Sequence, residues 1–98
     1  MRLSEQYIDT LKQSFKDIFI SGNIYLFGSR VDDSKKGGDI DLYIVPAKVL
    51  SAQERFDKKL AFLLIVKEKL GEQKIDVIVS KDLTRSIEVE AMRTGIKL

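Results

Sequence analysis

Two short runs rich in β-branched residues, Asp39 to Val45 and Lys74 to Val79, flank one long stretch with helical signals at both ends. This order constrains the fold more than any other feature. Ser51-Ala-Gln-Glu54 has the form of a capping box, in which the serine hydroxyl and the glutamate carboxylate each satisfy a backbone N–H left over at a helix start. Gly71 supplies the stop, so the helix is predicted over Glu54 to Leu70. Pro46 closes the strand before it, because proline has no N–H to give to a ladder. Strands joined by a helix of this length can run parallel, which a short turn does not allow.

Upstream, Ile8, Leu11, Phe15, Ile18 and Phe19 line one face of a helix from Glu5 to about Ile20. Ser4 is its expected cap, Leu3 with Ile8 its hydrophobic staple, and Ser21-Gly22-Asn23 its stop. Ile24 to Phe27, bounded by Gly22 and Gly28, is apolar on both faces, the pattern of a strand covered on both sides. Its link to the second strand is too brief for a crossover, so those two strands are expected to be antiparallel. Arg30 to Gly38, acids first and bases last, reads as a short helix or a polar loop. Asp82 can cap a last helix through Leu83, Ile87, Ala91 and Met92. The expected architecture is a single domain over residues 1–98, of class α/β (α+β), with a small mixed β-sheet of about three strands and covering helices.

The 98 residues include no Cys and no His, which removes thiol nucleophiles, disulfides, imidazole bases and Cys/His zinc sites. Chemistry is left to carboxylates, amines, guanidinium groups and hydroxyls. A formal net charge of +2 carries no nucleic-acid signature, and direct nucleic-acid binding is not expected. The longest apolar run, Leu60 to Val66, spans seven residues, whereas a membrane crossing needs roughly 20. No apolar stretch of signal-peptide length follows Met1, so a cytoplasmic location is expected.

Three carboxylates stand out. Asp39 and Asp41 lie two apart in a strand, so they share a face about 6.6 Å apart, while Ile40, Leu42 and Ile44 turn to the core. Such oxygens suit Mg²⁺, and the alternative is a pair of solvated acids opposed by Lys35 and Lys36. Asp76 interrupts the apolar run Ile75 to Val79, where an acid is costly unless it is paired or holds a cation; Lys74 is the alternative partner. If the second and third strands are neighbours, Asp76 joins the Asp39/Asp41 face. Gly28-Ser29-Arg30, directly after the first strand, offers free N–H groups, a hydroxyl and a guanidinium, the parts of a phosphate-binding turn or of a plain turn with a surface arginine.

Leu26-Phe27-Gly28-Ser29-Arg30 followed by Gly38-Asp39-Ile40-Asp41-Leu42 closely resembles the signature of the polymerase-beta-like nucleotidyltransferase superfamily, and the whole chain looks like its minimal nucleotidyltransferase branch. The resemblance implies a palm-like fold and two Mg²⁺ ions held by Asp39, Asp41 and Asp76. It also implies triphosphate contacts from Gly28, Ser29 and Arg30, with Asp76 helping to deprotonate an acceptor hydroxyl. The chain departs from the commonest form of the motif in two places. Nine residues separate Ser29 from Asp39, one fewer than usual, and Asp32 stands where a second base is frequent.

The implied reaction moves a nucleoside monophosphate, such as AMP from ATP, to a hydroxyl and releases pyrophosphate. Minimal members of this branch commonly pair with helical HEPN proteins, in some cases as antitoxins that modify a tyrosine of the toxin. Transfer to a small hydroxylated molecule, or a non-catalytic binding module, are the alternatives. Leu60, Leu63 and Leu64 are expected to face the sheet, with Phe62, Ile65 and Val66 widening the apolar surface towards a partner or a second copy, or else buried under the first helix.

Overall fold

The computed structural model describes residues 4–27, 40–71, 74–82 and 84–98. Along the chain come α1 (Glu5–Phe19), β1 (Gly22–Phe27), β2 (Ile40–Pro46), α2 (Ala52–Leu70), β3 (Ile75–Val79), α3 (Ser86–Thr94) and β4 (Ile96–Lys97). The expected staple residue Leu3 and the Arg30 to Gly38 segment lie outside the described residues.

The helices begin where the sequence supplies their caps. Ser4 Oγ accepts from the Tyr7 N–H at 3.2 Å to start α1. At α2 the capping box is complete, with Ser51 Oγ accepting from the Glu54 N–H at 3.1 Å and the Glu54 carboxylate accepting from the Ser51 N–H at 2.9 Å. α1 ends earlier than its glycine suggests. The reversal falls on Ile20, whose φ of 70° and ψ of −53° place it in a tight γ-turn closed by the Ser21 N–H on the Phe19 carbonyl at 2.7 Å. Gly22 then opens β1, where a Cβ would sit 2.3 Å from the Val45 carbonyl oxygen.

The sheet has the order β3-β2-β1-β4. β1 pairs antiparallel with β2, β2 pairs parallel with β3 across the α2 crossover, and β4 adds a short antiparallel edge to β1. The mixed sheet therefore gains a fourth, two-residue strand beyond the expected three. One face carries the core: Ile24, Leu26, Ile40, Leu42, Ile44, Val77 and Val79 pack against Leu11, Phe15 and Phe19 of α1 and Phe62 and Val66 of α2. Phe15 stacks on Phe19 with ring centroids 5.6 Å apart, and Phe19 meets Phe62 edge-on at 6.4 Å. α2 is thus rotated from its expected setting. Phe62 and Val66 are fully buried and Leu63 packs against the core, whereas Leu60 and Leu64 are exposed.

α3 covers part of the opposite face. Tyr25 and Tyr43, which alternate with the core residues of β1 and β2, lie on that face with rings 6.0 Å apart. A Cβ on Gly95 would come within 3.2 Å of the Tyr25 Cβ, so a small residue is needed where α3 turns into β4. Ile87 and Met92, expected on the buried stripe, are exposed; Glu88 and Ala91 are the buried residues of α3. Asp82 does not cap this helix. It accepts from the Thr84 N–H at 2.9 Å and shapes the turn before it.

A β-branched residue at positive φ carries backbone strain of about 1–3 kcal/mol, and Ile20 is 77% exposed, so its side chain gives little in return. Ile20→Gly is expected to stabilise the fold by about 1 kcal/mol despite the flexibility of glycine, measured as a higher urea midpoint at unchanged slope.

Candidate active site

Asp41 on β2 is the register partner of Asp76 on β3. Adjacent strands lie about 4.8 Å apart. Because Leu42 and Ile44 on β2 and Val77 and Val79 on β3 point into the core, both carboxylates belong to the opposite face. Each occupies the second position of its strand. Phe27, the last residue of β1, is the other register partner of Asp41, so Phe27, Asp41 and Asp76 form one row across three strands at one end of the sheet. Asp41 is half-buried and Asp76 exposed. Burial is therefore not the difficulty that the apolar run around Asp76 suggests.

Asp39, Gly28, Ser29 and Arg30 lie outside the described residues. The residues that flank this segment, Phe27 and Ile40, both stand at the end of the sheet that carries Asp41 and Asp76. The other sequence alternative, Lys74, precedes β3, and its carbonyl accepts from the Ile40 N–H at 3.0 Å.

Behind this row, on the same face, lies a buried polar lock that sequence reasoning missed. Glu88 of α3 is completely buried. Its Oε1 accepts from the Tyr43 hydroxyl at 2.8 Å and the Ser80 hydroxyl at 2.7 Å, and its Oε2 from the N–H groups of Lys81 at 3.0 Å and Asp82 at 2.8 Å. Arg85 Nε sits 3.1 Å from Oε2 as an ion pair, with its N–H turned off the hydrogen-bond line. Burial pushes the Glu88 carboxyl up, but the donors from Asp82, Ser80, Lys81 and Tyr43 outweigh it and hold the group at about 2, against an ordinary 4.5. Burial also raises the Tyr43 hydroxyl. The network ties β2, the end of β3 and α3 together, and Tyr43 is two residues along β2 from Asp41. The signal for it was the spacing of Glu88 with the small residues Ala91 and Gly95, which marks the side of α3 that approaches the sheet.

The family model described as Polymerase beta, Nucleotidyltransferase matches residues 6–98. The chain belongs to this nucleotidyltransferase family. No curated protein matches it. Nucleotidyltransferase domains generally use a nucleoside triphosphate and a divalent metal, and the described residues fit such an ion. Two hard carboxylate donors share one face at an accessible sheet end, in register across adjacent strands. Among the described residues no group of three or more potential metal ligands occurs; the third carboxylate of the motif, Asp39, is outside them. Nor, among the described residues, is any helix of the nucleotidyltransferase long and apolar enough to cross a membrane.

Asp76→Asn is expected to lose most of the stabilisation that millimolar Mg²⁺ gives wild type. Scanning fluorimetry with and without Mg²⁺ checks this; equal responses in the two proteins would exclude the pair as a cation site.

For Glu88, a folded-state value below the unfolded one means that its stabilisation is complete above about pH 4.5 and is lost as pH falls through about 2. In Glu88→Gln the amide oxygen can take the two backbone N–H groups while its NH₂ faces hydroxyls that rotate to accept. That variant is expected to lose on the order of 3 kcal/mol at pH 7 and to show a flatter stability profile between pH 4.5 and 2. Urea unfolding across pH measures it.

Proposed function

We propose that this chain is a Mg²⁺-dependent nucleotidyltransferase that moves AMP from ATP to a hydroxyl of a HEPN-type helical partner, as the antitoxin of a toxin–antitoxin pair in the cytoplasm. The observation that carries the enzymatic part is the Asp41/Asp76 register pair at the sheet end where β1 finishes. Asp39, Asp41 and Asp76 hold the metal ions, and Gly28, Ser29 and Arg30 hold the triphosphate. Bound Mg²⁺ supplies the positive charge that offsets the leaving pyrophosphate and lowers the pKa of the acceptor hydroxyl.

The protein's own residues position and neutralise. Backbone N–H groups at Gly28 and Ser29 and the Arg30 guanidinium orient the phosphates, leaving the α-phosphorus open to in-line attack. The acceptor oxygen forms a bond to that phosphorus, the bond to the bridging oxygen breaks, and pyrophosphate departs. Asp76 receives the hydroxyl proton. The solvent-exposed setting of Asp76 leaves room for an acceptor carried by another molecule. Residues 1–98 act as one nucleotidyltransferase domain, with the surface that grips the base and acceptor supplied by the partner.

Incubating the chain with α-labelled ATP, Mg²⁺ and an extract of its source cells is expected to label one protein band. Asp41→Asn and Asp76→Asn should each reduce labelling at least a hundredfold, equivalent to about 3 kcal/mol of transition-state stabilisation. Label confined to small molecules would identify a small hydroxylated acceptor instead. No label with any of the four nucleotides, in wild type or variants, would make the chain a binding module.

A further inference from the structure

β3 is the outer strand of the sheet, with β2 on one side and no described strand on the other. Its ladder to β2 is bounded by the Ile40 N–H on the Lys74 carbonyl at 3.0 Å and the Ser80 N–H on the Ile44 carbonyl at 2.7 Å. Backbone direction alternates along a parallel strand, so the even-numbered residues from Lys74 to Ser80 address β2. The N–H and C=O groups of Ile75, Val77 and Val79 therefore point outward, and no described strand pairs with them. Exposed edges of this kind are templates for a further strand unless something blunts them.

A groove of about 260 Å³ runs beside this edge, lined by Arg55, Phe56 and Lys59 of α2, by Val77 to Val79, and by Arg85 at the start of α3. Among the described residues it holds three cationic side chains and no acid. Arg55 gives one guanidinium N–H to the Leu50 carbonyl at 2.8 Å, and Arg85 pairs through Nε with Glu88, so each fork is held at the groove with further N–H groups on its guanidinium. Phe56 is 61% exposed at the groove wall.

We infer that this edge docks an extended acidic segment of a partner protein, which adds as a strand beside β3 and sets its carboxylates against Arg55, Lys59 and Arg85. Main-chain bonds to Ile75, Val77 and Val79 give the register, and the alternate side chains of the segment turn to the other face of the sheet. A second copy is a poorer occupant, because pairing β3 with its own copy about a two-fold axis brings two sets of these cations together. A nucleic acid is poorer too. The edge alternates donors with acceptors, which a peptide complements, whereas a phosphate backbone only accepts. The docking edge runs along the strand that carries Asp76, but it uses the outward backbone groups of the odd-numbered residues and does not depend on the transfer reaction.

The probe is a fluorescein-labelled octapeptide alternating Glu with Val, titrated into the full chain and read by anisotropy. Binding should weaken at least tenfold when alternate amides of the peptide are N-methylated, which removes donors without changing charge. It should weaken comparably with Lys59→Glu, and bound peptide should slow amide hydrogen exchange at Val77 and Val79. No binding at about 1 mM peptide, or equal binding of the N-methylated peptide, would overturn the inference. So would tighter binding of octauridylate, or concentration-dependent dimers of the chain that the peptide disperses.

Discussion

The parallel pairing of β2 with β3 is the constraint on which the rest of this structure depends. It sets Asp41 opposite Asp76, and a slip of one residue would turn one of these acids into the core and one of its apolar neighbours out. Register is therefore enforced from the other face. Ile40, Leu42 and Ile44 are completely buried against α1 and α2, and Val77 and Val79 nearly so, so the apolar side of the sheet fixes the polar side. The crossover helix that makes a parallel pair possible also supplies Phe62 and Val66 to that core. One element thus satisfies both the topology and the packing that hold two like charges together.

The second face solves a different problem. It is covered at Tyr43 and left open towards Asp41 and Asp76. α3 covers it through Tyr43 and Glu88, with Ala91 and Gly95 allowing close approach. A carboxylate at the centre of that contact is costly to desolvate and is compensated here by hydroxyl and backbone donors from β2 and from the turn after β3. Each donor has a direction, so the network fixes where α3 lies along the sheet, which a purely apolar contact would leave freer to slide.

Much of this was legible in the sequence because the signals were local. The Ser51 and Glu54 capping box, the Ser4 cap, the antiparallel first pair and the parallel second pair all follow from residues a few positions apart or from the length of a connection. The alignment of Asp76 with the Asp41 face was readable as a conditional, since strand alternation fixes a face once neighbours are known. Residues whose role depends on a distant partner were not readable. Ile96 and Lys97 make a strand only because β1 offers a free edge. Glu88 has the composition of a solvated helix position and is buried because Tyr43, Ser80 and two backbone amides converge on it. Ile20 takes a positive φ of 70° at the helix end although a glycine stands two residues on; Gly22 has its own positive φ of 120° and is held against Val45 and Ala47 at the start of β1.

The two faces also explain why the acids can lie at the strand starts and not deeper. One pair further along, Tyr43 stands opposite Ile78 and is already sealed by α3. A carboxylate there would need a full set of buried donors, as Glu88 does, and would then be committed to structure and closed to a ligand. At the second position of β2 and β3 the strands still have the rigidity of the ladder, but the face is open. Rigid backbone with accessible side chains is the condition a preorganised charge site requires, and the first polar row of the β2–β3 pair meets it.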